Sequence, residues 1–250
     1  GKLFKEYKII LFENDSHDNT RKVIREWSDK NKNVILLEYS KLPDSIQKYK
    51  INFIDLYDTG VFSKYRMKKM AYYRNLYLNY VKIHFSHYDY MFVLDIDFEG
   101  LYSNDGLLDS IGYNNWDMIG INGRFQCPGM FGITTVAYDS IAFVGQKDDF
   151  KKTINILQSI TNGIKMNYII SNNNNKLIPV RSTFNGAAIY KIDSVLDSQY
   201  DSEYCCEHVD FHKSMISNNH NLLFINPNFL GYMGLQGPRE NILSIFKSII

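Results

Sequence analysis

Two aspartates close an apolar run in "VLDIDFEG", residues 93–100. Strand side chains alternate with period two, so Asp95 and Asp97 point the same way and set their oxygens side by side. Paired carboxylates of this kind suit a hard cation, Mn²⁺ or Mg²⁺, which can in turn bridge a diphosphate. A second concentration of chemistry lies in "CCEHVDFHKSM", where His208 and His212 are one helical turn apart and Glu207 and Asp210 occupy a neighbouring face. A third candidate is Arg74, set within the apolar stripe of a helical segment. A guanidinium there requires an anionic partner, either a carboxylate or a ligand phosphate.

These residues need elements to hold them. "YKIILFE" reads as a buried parallel strand ending in Glu13, and "NDSHDNT" supplies turn and cap residues, with Ser16 and Asp18 as N-cap candidates. Val23, Ile24 and Trp27 then recur at helical spacing, and "NVILLEY" follows as the next strand, completing a β-α-β unit. Residues 41–62 carry mixed signals and are expected to form a loop with a short helix. The pattern over 63–85 is helical, with Met67, Met70, Ala71, Tyr77, Leu78, Val81 and Phe85 on one stripe. A further apolar strand, Met91 to Leu94, then delivers the two aspartates. In open α/β sheets ligands gather outside the carboxyl ends of strands, where Glu13 and Asp95 both stand.

Beyond Gly100 the elements shorten. "NNWDMIGING", "YDSIAFVG" and "STFNGAAIY" read as strands or strand-loop pieces, "NYIISNNNNKLIPV" holds a polar surface loop, and the chain closes with a strand-like "NLLFINPNF" and an amphipathic tail over 241–250. The expected class is α/β, with a mixed, mostly parallel central sheet flanked by helices.

Composition narrows the function. With 45% hydrophobic residues, 250 residues can bury one sizeable core, so a single domain over 1–250 is expected. A formal charge of +1 lacks the basic footprint of a nucleic-acid binder. No apolar run reaches the roughly 18 residues of a membrane helix. Three cysteines, Cys127, Cys205 and Cys206, form neither a disulfide framework nor a zinc knuckle, which favours a reducing, cytoplasmic setting. Abundant Asn, Lys, Ile and Tyr suggest an AT-rich, viral genome, in which case the setting is the host cytoplasm.

The ordered series "ENDSHDNT", "YYRNLYL" and "YDYMFVLDIDFEG" resembles the nucleotide-sugar-binding half of GT-A glycosyltransferases. "AYDSIAFVG", "STFNGAAIY" and "CEHVDFH" resemble more particularly the capsule-associated mannosyltransferase group and its large-DNA-virus relatives, and the likeness spans most of residues 8–227. It implies a GT-A, Rossmann-like fold with a nucleotide-binding half over 1–100 and an acceptor-side half over 101–250. The activity implied is metal-dependent transfer of a hexose from a UDP- or GDP-sugar donor to a glycan or glycoprotein acceptor. Residue by residue, it implies that Glu13, with Asp15, contacts the nucleotide and that Arg74 and Asn75 line the donor pocket. Asp95 and Asp97 then hold the metal and diphosphate, and Gly186 lets a sugar approach the backbone.

"CEHVDFH" falls where many such enzymes carry an x-E-D element with the catalytic base, but His208 replaces its aspartate. Glu207, His208 or Asp210 could serve as that base, with Glu207 and Asp210 the leading candidates, and His208 or His212 could instead complete the metal shell. The family usually has a strand before the one ending in Glu13, where this sequence offers only "GKLFKE", so either that strand is irregular or the sequence belongs to a longer protein. Two other functions compete. Haloacid-dehalogenase-like phosphatases also end a strand in D-x-D but want Thr or Val soon after, where Phe98 and Glu99 stand. A non-catalytic sugar-binding module could keep the same fold.

Overall fold

Along the central strands, successive side chains enter different cores. Met118, Ala188 and Tyr190 belong to one buried cluster, while Ile119, Ile121, Ala187 and Ile189 belong to another with Trp116, Leu107 and Phe229. This period-two division means that both faces of the sheet are covered, each buried aliphatic side chain contributing about 1.5–3 kcal/mol. A computed structural model of the chain describes residues 3–14, 16–41, 64–96, 102–129, 132–151, 155–174, 176–204 and 206–233.

The chain opens with strand β1 (Ile9–Glu13), helix α1 (Thr20–Lys30) and strand β2 (Val34–Glu38), and β1 pairs with β2 in parallel. This is the expected β-α-β unit. The N-cap of α1 is Asn19 rather than Ser16 or Asp18. Asp18 still accepts the Thr20 amide at 2.9 Å, and the Ser16 amide turns back to Glu13. Helix α2 (Lys64–His84) lays Tyr72 and Leu76 against Leu37, with Tyr73, Tyr77 and Tyr80 packed around them, which accounts for much of the tyrosine content near this unit.

Strand β3 (Tyr90–Leu94) and helix α3 (Asn104–Gly112) follow, then the strands β4 (Met118–Gly129), β5 (Gly132–Ala137) and β6 (Val144–Gly145). Helix α4 (Ile156–Ser171) starts with a capping box between Asn155 and Gln158. Strands β7 (Ile178–Ser182) and β8 (Ala187–Lys191), helix α5 (Glu207–Ser217) and strand β9 (Leu223–Met233) complete the described elements. Seven strands join in the order β3-β8-β4-β9-β7-β6, with β5 paired to β4.

The sheet is mixed but mostly antiparallel, which corrects the expectation of a mostly parallel one. Within it only β4 and β9 pair in parallel, while β3–β8, β4–β8, β4–β5, β6–β7 and β7–β9 are antiparallel. The unbroken apolar runs misled because burial on both faces, and not parallel pairing, removes polar alternation from a strand. The arrangement remains α/β and consistent with a Rossmann-like class. The expected halves interleave: β3, from the first, is hydrogen-bonded to β8, from the second. Among the described residues no helix is long and apolar enough to cross a membrane. The expectations for residues 42–62 and for the tail over 241–250 lie outside the described residues.

One close approach ties this sheet to the residues discussed next. A Cβ on Gly123 of β4 would stand 2.1 Å from the carbonyl oxygen of Asn185, in the turn between β7 and β8. Gly123→Ala is therefore expected to destabilise the protein by roughly 3 kcal/mol by displacing that turn. Gly112→Ala, at the end of α3 with nothing within 4 Å of the new methyl, is expected to be neutral or stabilising. Urea unfolding of the two variants checks the contrast.

Candidate functional site

The site is organised around Arg74, halfway along α2 and 8% exposed. Its Nε donates to Glu207 Oε1 at 3.0 Å, its Nη2 to Asp95 Oδ1 at 3.2 Å and its Nη1 to the Tyr77 hydroxyl at 3.2 Å. The guanidinium also lies over the rings of Phe184 and Tyr200, at 5.2 and 5.9 Å. Burial works against its charge, but Tyr77, Glu207, Asp95 and Tyr200 outweigh it and hold the Arg74 pKa above its ordinary value. The anion that this arginine requires is thus found within the protein.

Arg74, Asp95, Glu207 and His208 line one cavity of about 500 Å³, together with Asp139 and Phe184. Asp95 reaches it just past β3, where its amide donates to the carbonyl of Gly186 at 2.9 Å. Gly186 has φ 91°, a left-handed conformation in which glycine is unstrained. Glu207 arrives as the first residue of α5, where the helix dipole favours a carboxylate, and its Oε2 accepts the Cys206 thiol at 3.5 Å.

His208, 2% exposed, stacks on Phe184 with ring centroids 3.7 Å apart. Neither of its ring nitrogens has a hydrogen-bond partner, and Nε2 is 3.9 Å from Glu207. Burial, then the nearby charge of Arg74, pushes its pKa well below the ordinary value, leaving a neutral imidazole.

Other expected residues lie elsewhere. His212 is fully buried and engages Ser182 through Nδ1 at 2.9 Å and the Tyr190 hydroxyl through Nε2 at 3.1 Å, so both nitrogens serve the core. Asn75 grips the Tyr200 backbone twice, donating to its carbonyl and accepting its amide, each at 2.9 Å. Asp210 accepts the Tyr204 amide at 2.9 Å, closing the turn before α5, and does not line the cavity. Glu13 accepts the Ser16 amide at 2.5 Å and Arg21 Nε at 2.9 Å. Burial tends to raise its pKa, but these donors outweigh that and hold it below the ordinary value. Asp15 and Asp97 lie outside the described residues.

Asp139 escaped the sequence reading although "AYDSIAFVG" was singled out. It follows β5 with φ 54°, a left-handed conformation that among non-glycine residues favours Asn and Asp. Burial, then Asp95 and Glu207, push its pKa well above the ordinary value, against the opposing pull of Arg74. The readable signal was an Asp-Ser pair directly after a strand.

Among the described residues no group of three His, Cys, Asp or Glu side chains could hold a metal ion. Asp95 alone of the D-x-D pair is described, with one oxygen already on Arg74. No protein-family model matches the sequence, and no curated protein matches it.

Two outcomes follow from these environments. Arg74→Gln leaves Glu207 buried without its counter-charge and is expected to destabilise by about 3–5 kcal/mol in chemical unfolding. Asp210 has its pKa raised to about 6, chiefly by burial, then by Asp201 and Glu203 against the Tyr204 hydrogen bond and Lys213. The folded state therefore binds this proton more tightly than the unfolded chain does, and its contribution to stability is present at acid pH and lost as pH rises to about 6. Asp210→Asn keeps the acceptor for Tyr204. It is expected to be more stable than the native protein by on the order of 2 kcal/mol at pH 8, converging with it below about pH 4.

Proposed function

We propose that this protein is a metal-dependent glycosyltransferase with a GT-A fold, moving a hexose from a UDP- or GDP-sugar to a glycan hydroxyl. The observation that carries the reading is the meeting of Arg74, Asp95 and Glu207 in one cavity at the carboxyl end of β3. They come from three separated motifs whose order resembles that of the GT-A enzymes.

In this mechanism Arg74 faces the diphosphate. Its charge is held by its neighbours and pre-oriented, so it stabilises negative charge developing on the leaving group without reorganisation. The bond from the anomeric carbon to the diphosphate oxygen breaks, and the electron pair leaves with the nucleoside diphosphate. A new bond forms from that carbon to the acceptor oxygen. Glu207, held by Arg74 through Oε1, receives the acceptor's proton on Oε2, where its present donor is a thiol. His208 and Phe184, stacked on each other, make the adjoining wall. A divalent cation, Mn²⁺ or Mg²⁺, belongs to this reading through Asp95 and Asp97 together and would neutralise further diphosphate charge.

The test is thermal unfolding with a panel of UDP- and GDP-hexoses, with and without Mn²⁺, for the native protein and for Asp97→Ala. Binding at 100 times Kd contributes about 2.7 kcal/mol, a rise of roughly 5–10 °C for a domain of this size. A shift for one donor family that needs Mn²⁺ and disappears in the variant is expected. No shift with any donor overturns the proposal, and hydrolysis of simple phosphomonoesters would then favour a phosphatase.

A further inference from the structure

We propose that Asp139 and His208 form a hydroxyl-binding subsite of the cavity that takes a sugar. This deepens, and rests on, the glycosyltransferase reading. Two independent features point to it.

The first is the imidazole of His208. A buried imidazole ordinarily commits both nitrogens, as His212 does four residues later to Ser182 and Tyr190. His208 is 2% exposed, lines the cavity and commits neither, while its ring is fixed against Phe184. An imidazole with one donor and one acceptor nitrogen is matched by a group that both accepts and donates, as a hydroxyl does.

The second is the way the fold holds Asp139. Its left-handed backbone is pinned from several sides. The Tyr138 amide donates to the Gly123 carbonyl at 3.0 Å, and the Ala142 amide to the Asp139 carbonyl at 3.1 Å. From α4, Asn162 donates to the carbonyls of Ser140 and Phe143 at 3.2 and 3.3 Å, and the hydroxyls of Ser140 and Ser159 are 2.8 Å apart. Asn185, itself left-handed at φ 59°, packs its carbonyl against Gly123, whose own carbonyl holds the Tyr138 amide beside Asp139, while the next residue, Gly186, accepts the Asp95 amide. The turn therefore fixes Asp95 directly and reaches Asp139 through Gly123 and Tyr138. Strain of this kind persists where surrounding structure over-determines it, which is the pattern of ligand sites. Carboxyl and imidazole together present the mixed donor and acceptor surface that recognises sugar hydroxyls, beside the arginine assigned to the diphosphate.

The hydroxyls could belong to the donor hexose or to the acceptor, and one calorimetric series separates them. UDP, GDP and their hexosyl derivatives are titrated with Mn²⁺ into the native protein, Asp139→Gly, Asp139→Asn and His208→Phe, and methyl hexosides are titrated into the nucleoside diphosphate complexes. Glycine accepts φ 54° without strain and removes the carboxyl, while asparagine keeps a donor and an acceptor of similar size. Phenylalanine can stack on Phe184 and removes both orphan nitrogens.

For a donor subsite, the preference for nucleotide-sugar over nucleoside diphosphate is expected to fall about tenfold in Asp139→Gly and His208→Phe, with partial rescue in Asp139→Asn and nucleoside diphosphate affinity unchanged. His208→Phe is expected to melt at the native temperature or above, which separates lost recognition from lost folding. For an acceptor subsite, the same variants lose methyl hexoside binding instead. If both sugar preferences survive in both variants, the subsite is overturned while the nucleotide site stands. If the native protein binds no nucleotide, the glycosyltransferase reading fails, and the subsite with it.

Discussion

The guanidinium of Arg74 is the constraint on which the rest of the site depends. It lies inside the protein, where an isolated charge is not tolerated, and it joins three segments far apart in sequence: α2 that carries it, the end of β3 through Asp95, and the start of α5 through Glu207. Each segment is separately anchored in the core. Ala71 and Leu78 of α2, Met91 and Val93 of β3, and Val209 and Phe211 of α5 all share one buried cluster. The ion pairs therefore do not assemble the fold; hydrophobic burial does. What the ion pairs select is one arrangement of these elements, because a shift of α2 relative to α5 would strand a buried charge.

A second layer of control comes from the turn between β7 and β8. Phe184 stacks on His208 and Gly186 accepts the Asp95 amide. Asn185 donates to the Ile121 carbonyl at 2.7 Å, fastening the turn to β4. Gly123 permits this fit by leaving room for the Asn185 carbonyl. Three consecutive positions, Phe184 to Gly186, thus couple the central sheet to the cavity wall.

Much of this was legible in the sequence, for identifiable reasons. Strong periodicity made β1, α1, β2, α2 and β3 readable, and the apolar stripe of α2 made Arg74 conspicuous because its charge contradicted its surroundings. Helical spacing in 207–217 placed Glu207 and His208 on α5 correctly. What the sequence did not reveal was which partners most polar side chains take. Asn75 and Asp210 have the side chains of a functional site, yet their hydrogen bonds go to the Tyr200 and Tyr204 backbones. His208 and His212 look equivalent at one helical turn apart, and only packing separates an orphan facing a cavity from a satisfied core histidine. Asp139 was missed because its place on the cavity wall comes from a left-handed backbone and long-range packing, neither of which leaves a periodic trace. Strand direction was misread because full burial of β8 and much of β4 erases alternation, whichever way their neighbours run.

The distribution of unsatisfied polar atoms bears on whether this cavity is a site or a packing defect. Among the described residues, His208, Thr183 Oγ1, Asn185 Oδ1 and Asn122 Oδ1 are buried without a hydrogen-bond partner. Asn122 and Asn185 do use their amide nitrogens, on the carbonyls of Pro227 and Ile121, so these side chains are held in place rather than loosely packed. Each orphan costs on the order of 1–3 kcal/mol, enough that several together weigh heavily against a margin of about 5–15 kcal/mol. Random imperfection would scatter them through the core. Here they follow one seam, from β4 beside Gly123, through the turn at residues 183–186, to the cavity wall at His208. A core selected for stability alone would fill this seam with aliphatic side chains. Of these groups His208 is the one that lines the cavity, so its unmatched nitrogens are the end of the seam that a polar ligand or ordered water can match without first breaking other hydrogen bonds.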